Sequence, residues 1–88
     1  MATEWPPRMG ELWMAADRWP ESGFEAPING GDMVMVLWGE QKRTLEGYPW
    51  WCGEVIGPAG KRFIKAAEGD LIPADDPRLE APQFTRSL

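Results

Sequence analysis

Histidine is missing from this 88-residue sequence, and cysteine occurs once, at Cys52. Histidine is the commonest general base and the side chain that titrates nearest neutrality. Without it, Ser–His and Cys–His catalysis and a simple pH switch have no foundation. A lone cysteine closes no internal disulfide and, with no histidine, assembles no zinc cluster. No Walker or dinucleotide-type glycine pattern occurs. The expectation is a protein that is not an enzyme and carries no cofactor or metal. Apolar runs fall well short of the ~20 residues that span a bilayer, so no membrane partner is expected. Nothing at the start reads as a basic segment followed by an apolar leader. With its single thiol, the chain is expected to be soluble and cytoplasmic.

Glycine and proline are plentiful, at 10 and 9 residues. They argue against long helices and for a turn-rich, mostly β fold. The length allows one small domain with a modest buried fraction. Six Trp, three Phe and one Tyr compensate, since each ring can bury about 150–250 Å².

The net charge of −5 is unevenly distributed. Residues 1–30 hold Glu4, Glu11, Asp17, Glu21 and Glu25 against Arg8 and Arg18, a balance of −3. Residues 66–88 hold Glu68, Asp70, Asp75, Asp76 and Glu80 against Arg78 and Arg86, again −3. The centre is +1, with Lys42, Arg43, Lys61, Arg62 and Lys65 against Asp32, Glu40, Glu46 and Glu54. Acidic arms therefore flank a near-neutral middle, which serves solubility or meets a basic partner.

Residues 1–29 read as an aromatic-rich arm packing on the rest of the chain. A short helix is predicted over 10–18, where Leu12, Met14, Ala15 and Ala16 are good helix formers and Pro20 follows. A buried strand is predicted over Met33–Trp38, after the turn signal Asn29-Gly30-Gly31-Asp32. Both faces of that run are apolar, one for the core and one for cover by the arm. Gly39–Gly47 reads as a charged loop. A second strand runs over Trp50–Ile56, a third over Lys61–Ala66, and a short fourth at Leu71-Ile72 ends at Pro73. Residues 76–88 read as an irregular tail with Leu79, Phe84 and Leu88 as anchors.

The dipeptide Trp50-Trp51 is the most informative feature. On a strand, neighbours point to opposite faces. One indole can enter the core, and the other must be covered or offered to a partner. Glu54 shares a face with Trp50, Cys52 and Ile56, which marks that face as partly wet and places Trp51 and Val55 inward.

Three stretches carry a family resemblance: Gly31-Asp32-Met33-Val34-Met35-Val36, Gly47-Tyr48-Pro49-Trp50-Trp51 and Asp70-Leu71-Ile72-Pro73. Together they resemble the PWWP branch of the Tudor-like domains over residues 30–75. The resemblance implies a small SH3-like barrel. It also implies an aromatic cage for methylated lysine, with Trp51, Trp38 and Phe63 as walls, acting by cation–π attraction.

The functional expectation is a protein-binding adaptor or regulator using an aromatic surface of Trp38, Tyr48, Trp50, Trp51 and Phe63. Each ring also has a bland assignment: Trp51, Trp38 and Phe63 as core, Trp50 beneath the arm, Tyr48 bracing its turn. Lys42, Arg43, Lys61 and Arg62 are candidates for contact with phosphate or an acidic partner, although the net charge disfavours nucleic acid. One alternative is a small acidic inhibitor, of the kind phages encode, that occupies a nucleic-acid-binding cleft. Another is a reader of methyl-lysine or nucleic acid.

Overall fold

The computed structural model describes residues 3–75. Within them five strands form one antiparallel sheet: β1 (Leu12–Ala15), β2 (Met33–Arg43), β3 (Pro49–Gly57), β4 (Gly60–Ala66) and β5 (Leu71–Pro73). Their spatial order is β4-β3-β2-β1-β5, so β4 and β5 are edges and the sheet is not closed into a barrel. The architecture is mostly β, as the glycine and proline content predicts, and the described residues contain no helix. The predicted tail, residues 76–88, lies outside the described residues.

Period-two alternation decides which side is core. Trp13, Ala15, Val34, Val36, Trp51, Val55, Ile64, Ala66 and Leu71 all point to one face and are buried. Ile28 closes over them from the preceding loop, and Trp5 and Trp19 pack against the cluster. Trp5 meets Trp13 edge-on at 6.1 Å, the arrangement that ring quadrupoles favour. The buried indole of Trp13 donates to Glu11 Oε1 at 3.1 Å, so its polar atom is satisfied.

The helix predicted over 10–18 is replaced by strand β1. Helix propensities differ by only about 0.7 kcal/mol per residue among ordinary residues, and tertiary pairing outweighs them here. β1 is held on both sides, with Trp13 opposite Val34 of β2 and Pro73 of β5. Leucine and methionine at positions 12 and 14 then point away from the core while Trp13 and Ala15 enter it.

The loop predicted over Gly39–Gly47 is also corrected, since β2 continues through to Arg43. Gly39 lies opposite Gly53 within the β2–β3 ladder. The Trp51 indole lies across both: a Cβ on Gly39 would stand 2.1 Å from the ring, and one on Gly53 2.6 Å from it. Gly39 is therefore a strand residue whose missing side chain makes room for the indole, and not a breaker. The turn itself is short. Gly47, at φ 93°, donates its N–H to the Thr44 carbonyl, and Thr44 N–H bonds the Tyr48 carbonyl.

A bulge interrupts β2. Val36 faces Val55, yet Trp38 faces Glu54, so Leu37 is the extra residue. An extra residue inverts the alternation beyond it. Without it, Trp38 would follow Val34 and Val36 into the core. With it, Trp38 turns to the opposite face and Gly39 faces the core side beneath Trp51.

The β4 edge is covered, and the β5 edge is short. Along β4, Ala26 N–H bonds the Lys61 carbonyl and Phe63 N–H bonds Glu25 Oε2. Trp19 Nε1 reaches the Lys65 carbonyl at 3.4 Å. The Arg62 guanidinium joins the same seam through the carbonyls of Phe63, Pro20 and Ala26. The N-terminal arm thus covers the core side and the β4 edge, rather than the second face of β2. β5 is three residues long and ends on Pro73, which has no N–H to offer. Short, proline-ended or covered edges resist strand addition.

The glycine–indole packing has a direct test. In Gly53→Ala the new methyl would stand 2.2 Å from the Trp38 carbonyl oxygen, so backbone must move. The expected loss is about 1–3 kcal/mol by urea titration. Gly30→Ala meets nothing closer than the Ala16 carbonyl oxygen at 3.7 Å, and should stay within about 0.5 kcal/mol. Equal midpoints for the two variants would contradict this packing.

Candidate protein-docking face

The face opposite the core is built from cross-strand rows, because residues directly opposite in a ladder share a side. Leu12 of β1 pairs with Met35 of β2, which pairs with Ile56 of β3. Met14 stands beside Met33 and Ile72. Trp38 stands beside Glu54, and Glu54 beside Phe63 of β4. Leu12, Met33, Met35, Trp38 and Ile56 each remain between 40% and 52% exposed. Phe63 is half-buried, with its ring 6.0 Å from that of Trp38. Trp38 Nε1 donates to Glu54 Oε1 at 3.2 Å, which fixes the indole and leaves its apolar area uncovered. An apolar surface thus runs over β1, β2, β3 and β4 with one carboxylate inside it.

Of the five aromatic residues singled out from sequence, the structure brings Trp38 and Phe63 together. Trp51 is on the other side of the sheet, 1% exposed, and belongs to the core. The three rings named as cage walls therefore do not share one enclosure. Trp50 shares the outer face opposite Lys42, but a charged row separates it from Trp38. That row is Glu40, Cys52 and Lys65, with the thiol buried between its long neighbours. Trp50 is half-buried, with Lys65 Nζ 5.9 Å from its ring centroid. Tyr48 is exposed in the β2–β3 turn, away from the Trp38 row.

The four basic candidates do not converge. Lys42 pairs with Glu40 at 2.7 Å, and this hydrogen bond and attraction raise its pKa. Arg43 Nη1 braces the turn through the Gly47 carbonyl at 3.0 Å. Arg62 is committed to the β4 edge. Lys61 ends the Leu12–Met35–Ile56 row. The carboxyl of Asp17 is raised from its usual range, first by a hydrogen bond to Asp70 and then by repulsion from it, at a site remote from this face. Among the described residues no cluster of His, Cys, Asp or Glu is arranged to hold a metal ion.

Leu12, Met14, Met33, Met35 and Ile56 are the surface residues that sequence reasoning missed. For Met33 and Met35 the signal was present in the doubly apolar run Met33–Trp38, whose second face needs a cover that the arm does not supply. No family model, curated protein or solved structure matches this chain.

The division between faces is measurable by substitution. Trp51→Ala should lose about 3–5 kcal/mol of unfolding free energy, as expected for a buried large ring. Trp38→Ala and Trp50→Ala should each lose at most about 1.5 kcal/mol and keep the native circular dichroism spectrum. A loss at Trp38 as large as that at Trp51 would place Trp38 in the core and contradict the assignment.

Proposed function

We propose that this chain is a non-enzymatic protein-binding module, an adaptor or regulator, whose partner docks on the outer face around Trp38, Phe63, Met35 and Ile56. One observation carries the reading: exposed apolar side chains from β1, β2 and β3 lie side by side on the face opposite the core, and no described segment covers them. Contiguous exposed apolar area on a small domain marks an interaction surface. Methionine and aromatic residues are the types enriched at the centre of protein interfaces, and tryptophan is enriched among hot spots. Trp38 is held by Glu54 before any partner arrives, so little side-chain freedom remains to be lost on docking. The β2–β3–β4 meander, with β1 and β5 added at the other edge of β2, supports reading the fold as a small open SH3-like sheet.

Nucleic acid is the less favoured partner. Lys42 and Arg62 are engaged within the chain, and the net charge is −5. The competing acidic-inhibitor reading requires binding through the acidic segments, which falls steeply with ionic strength.

A photoreactive phenylalanine analogue at position 35, compared with position 24 on the exposed turn of the arm, tests the reading in cells that express the chain. Position 35 should give a discrete adduct with another protein, and position 24 should not. The captured protein should then bind the purified chain with an affinity that Met35→Glu lowers about tenfold and that salt changes little. Adducts from position 24 alone, none from either position, or a steep salt dependence would overturn the proposal.

A further inference from the structure

A second site lies at the other end of the outer face, beyond the charged row. We propose that it binds a partner peptide in which an apolar side chain is flanked by carboxylates. A shallow, open depression lies there between the β2–β3 turn and the end of β4. Trp50 and Leu45 give it apolar area, Thr44, Ala66 and Ala67 complete the lining, and Arg43 and Lys65 bring positive charge. Leu45 is fully exposed at the turn, where nothing in the described residues covers it.

Charge selects the occupant. The chain as a whole is acidic, yet no carboxylate lines this depression and two cations do. Lys42 has Glu40 at 2.7 Å, whereas neither Arg43 nor Lys65 has a carboxylate within ion-pair distance among the described residues. Arg43 bonds the Gly47 carbonyl through Nη1 and keeps further donors of its fork for a ligand. Carboxylates accept such forks with charge-assisted hydrogen bonds. A Phe or Leu side chain on Trp50 and Leu45 leaves adjacent Asp or Glu side chains within reach of Arg43 and Lys65.

A single-stranded nucleic acid also combines stacking with positive charge, but this site fits it less well. A chain at −5 repels a continuous phosphate backbone more than one or two carboxylates. The site is separate from the Trp38 face, and its salt dependence distinguishes failure of one from failure of the other.

The test titrates the isotope-labelled full chain with capped acetyl-Asp-Glu-Phe-Asp-amide and reads the Trp50 indole and the Ala66 and Ala67 amides by NMR. Saturable shifts confined to these groups are expected. The Asn-Gln-Phe-Asn counterpart should bind at least about tenfold more weakly, and added salt should weaken the acidic peptide. Lys65→Gln and Arg43→Gln should each reduce its affinity several-fold, and Phe24→Ala, on the exposed turn of the arm, should leave it unchanged. No saturation up to about 5 mM, equal binding of acidic and neutral peptides, or preference for an oligothymidine would each overturn the proposal.

Discussion

The indole of Trp51 occupies the space that side chains at Gly39 and Gly53 would fill, and most of the sheet is arranged around that fact. With the ring laid across two facing glycines, β2 and β3 stay paired from Trp38 to Arg43, well past the point where Gly39 would otherwise interrupt a strand. A large apolar group is thereby sealed between the sheet and its cover of Ile28, Trp5 and Trp19. A domain of this size has few such groups to rely on, so each buried indole carries a substantial share of the hydrophobic driving force.

The bulge at Leu37 follows from the same arrangement. Gly39 must face the Trp51 side, whereas Val34 and Val36 also face it, and an uninterrupted strand cannot satisfy both because residue 39 is odd in that count. One extra residue resolves the conflict and turns Trp38 outward beside Phe63. The outward-facing aromatic pair is thus linked, through register, to the packing of an indole on the opposite side. The N-terminal segment is committed to the core side and to the β4 edge, through Glu25, Ala26, Pro20 and Trp19. No described segment remains to cover Leu12, Met33, Met35, Trp38 and Ile56. An uncovered apolar surface is therefore a consequence of how the rest of the chain is used.

Much of this was legible in the sequence where the signal was local. The alternation of Trp51, Gly53 and Val55 against Glu54 assigned the faces of β3 correctly, and Gly47, Gly60 and Pro73 marked real boundaries. The failures were non-local. Leu12, Met14 and Ala15 carry helix propensity, and only pairing with both β2 and β5 makes them a strand. Gly39 looks like a breaker until the ring from position 51 is seen above it. In Val36-Leu37-Trp38 every residue is apolar, so the pattern holds no trace of the register shift that moves Trp38 across the sheet. For the site, Trp38 and Phe63 were recognisable as candidates. Their separation from Trp51 and the methionine-rich surround depended on the bulge and on where the arm packs.

The most direct measurement is solvent paramagnetic relaxation of the tryptophan ring protons by a soluble gadolinium chelate. The account requires strong broadening of the Trp38 ring and protection of the Trp51 and Trp13 rings. Equal broadening at Trp38 and Trp51, or protection of Trp38 with exposure of Trp51, would contradict it.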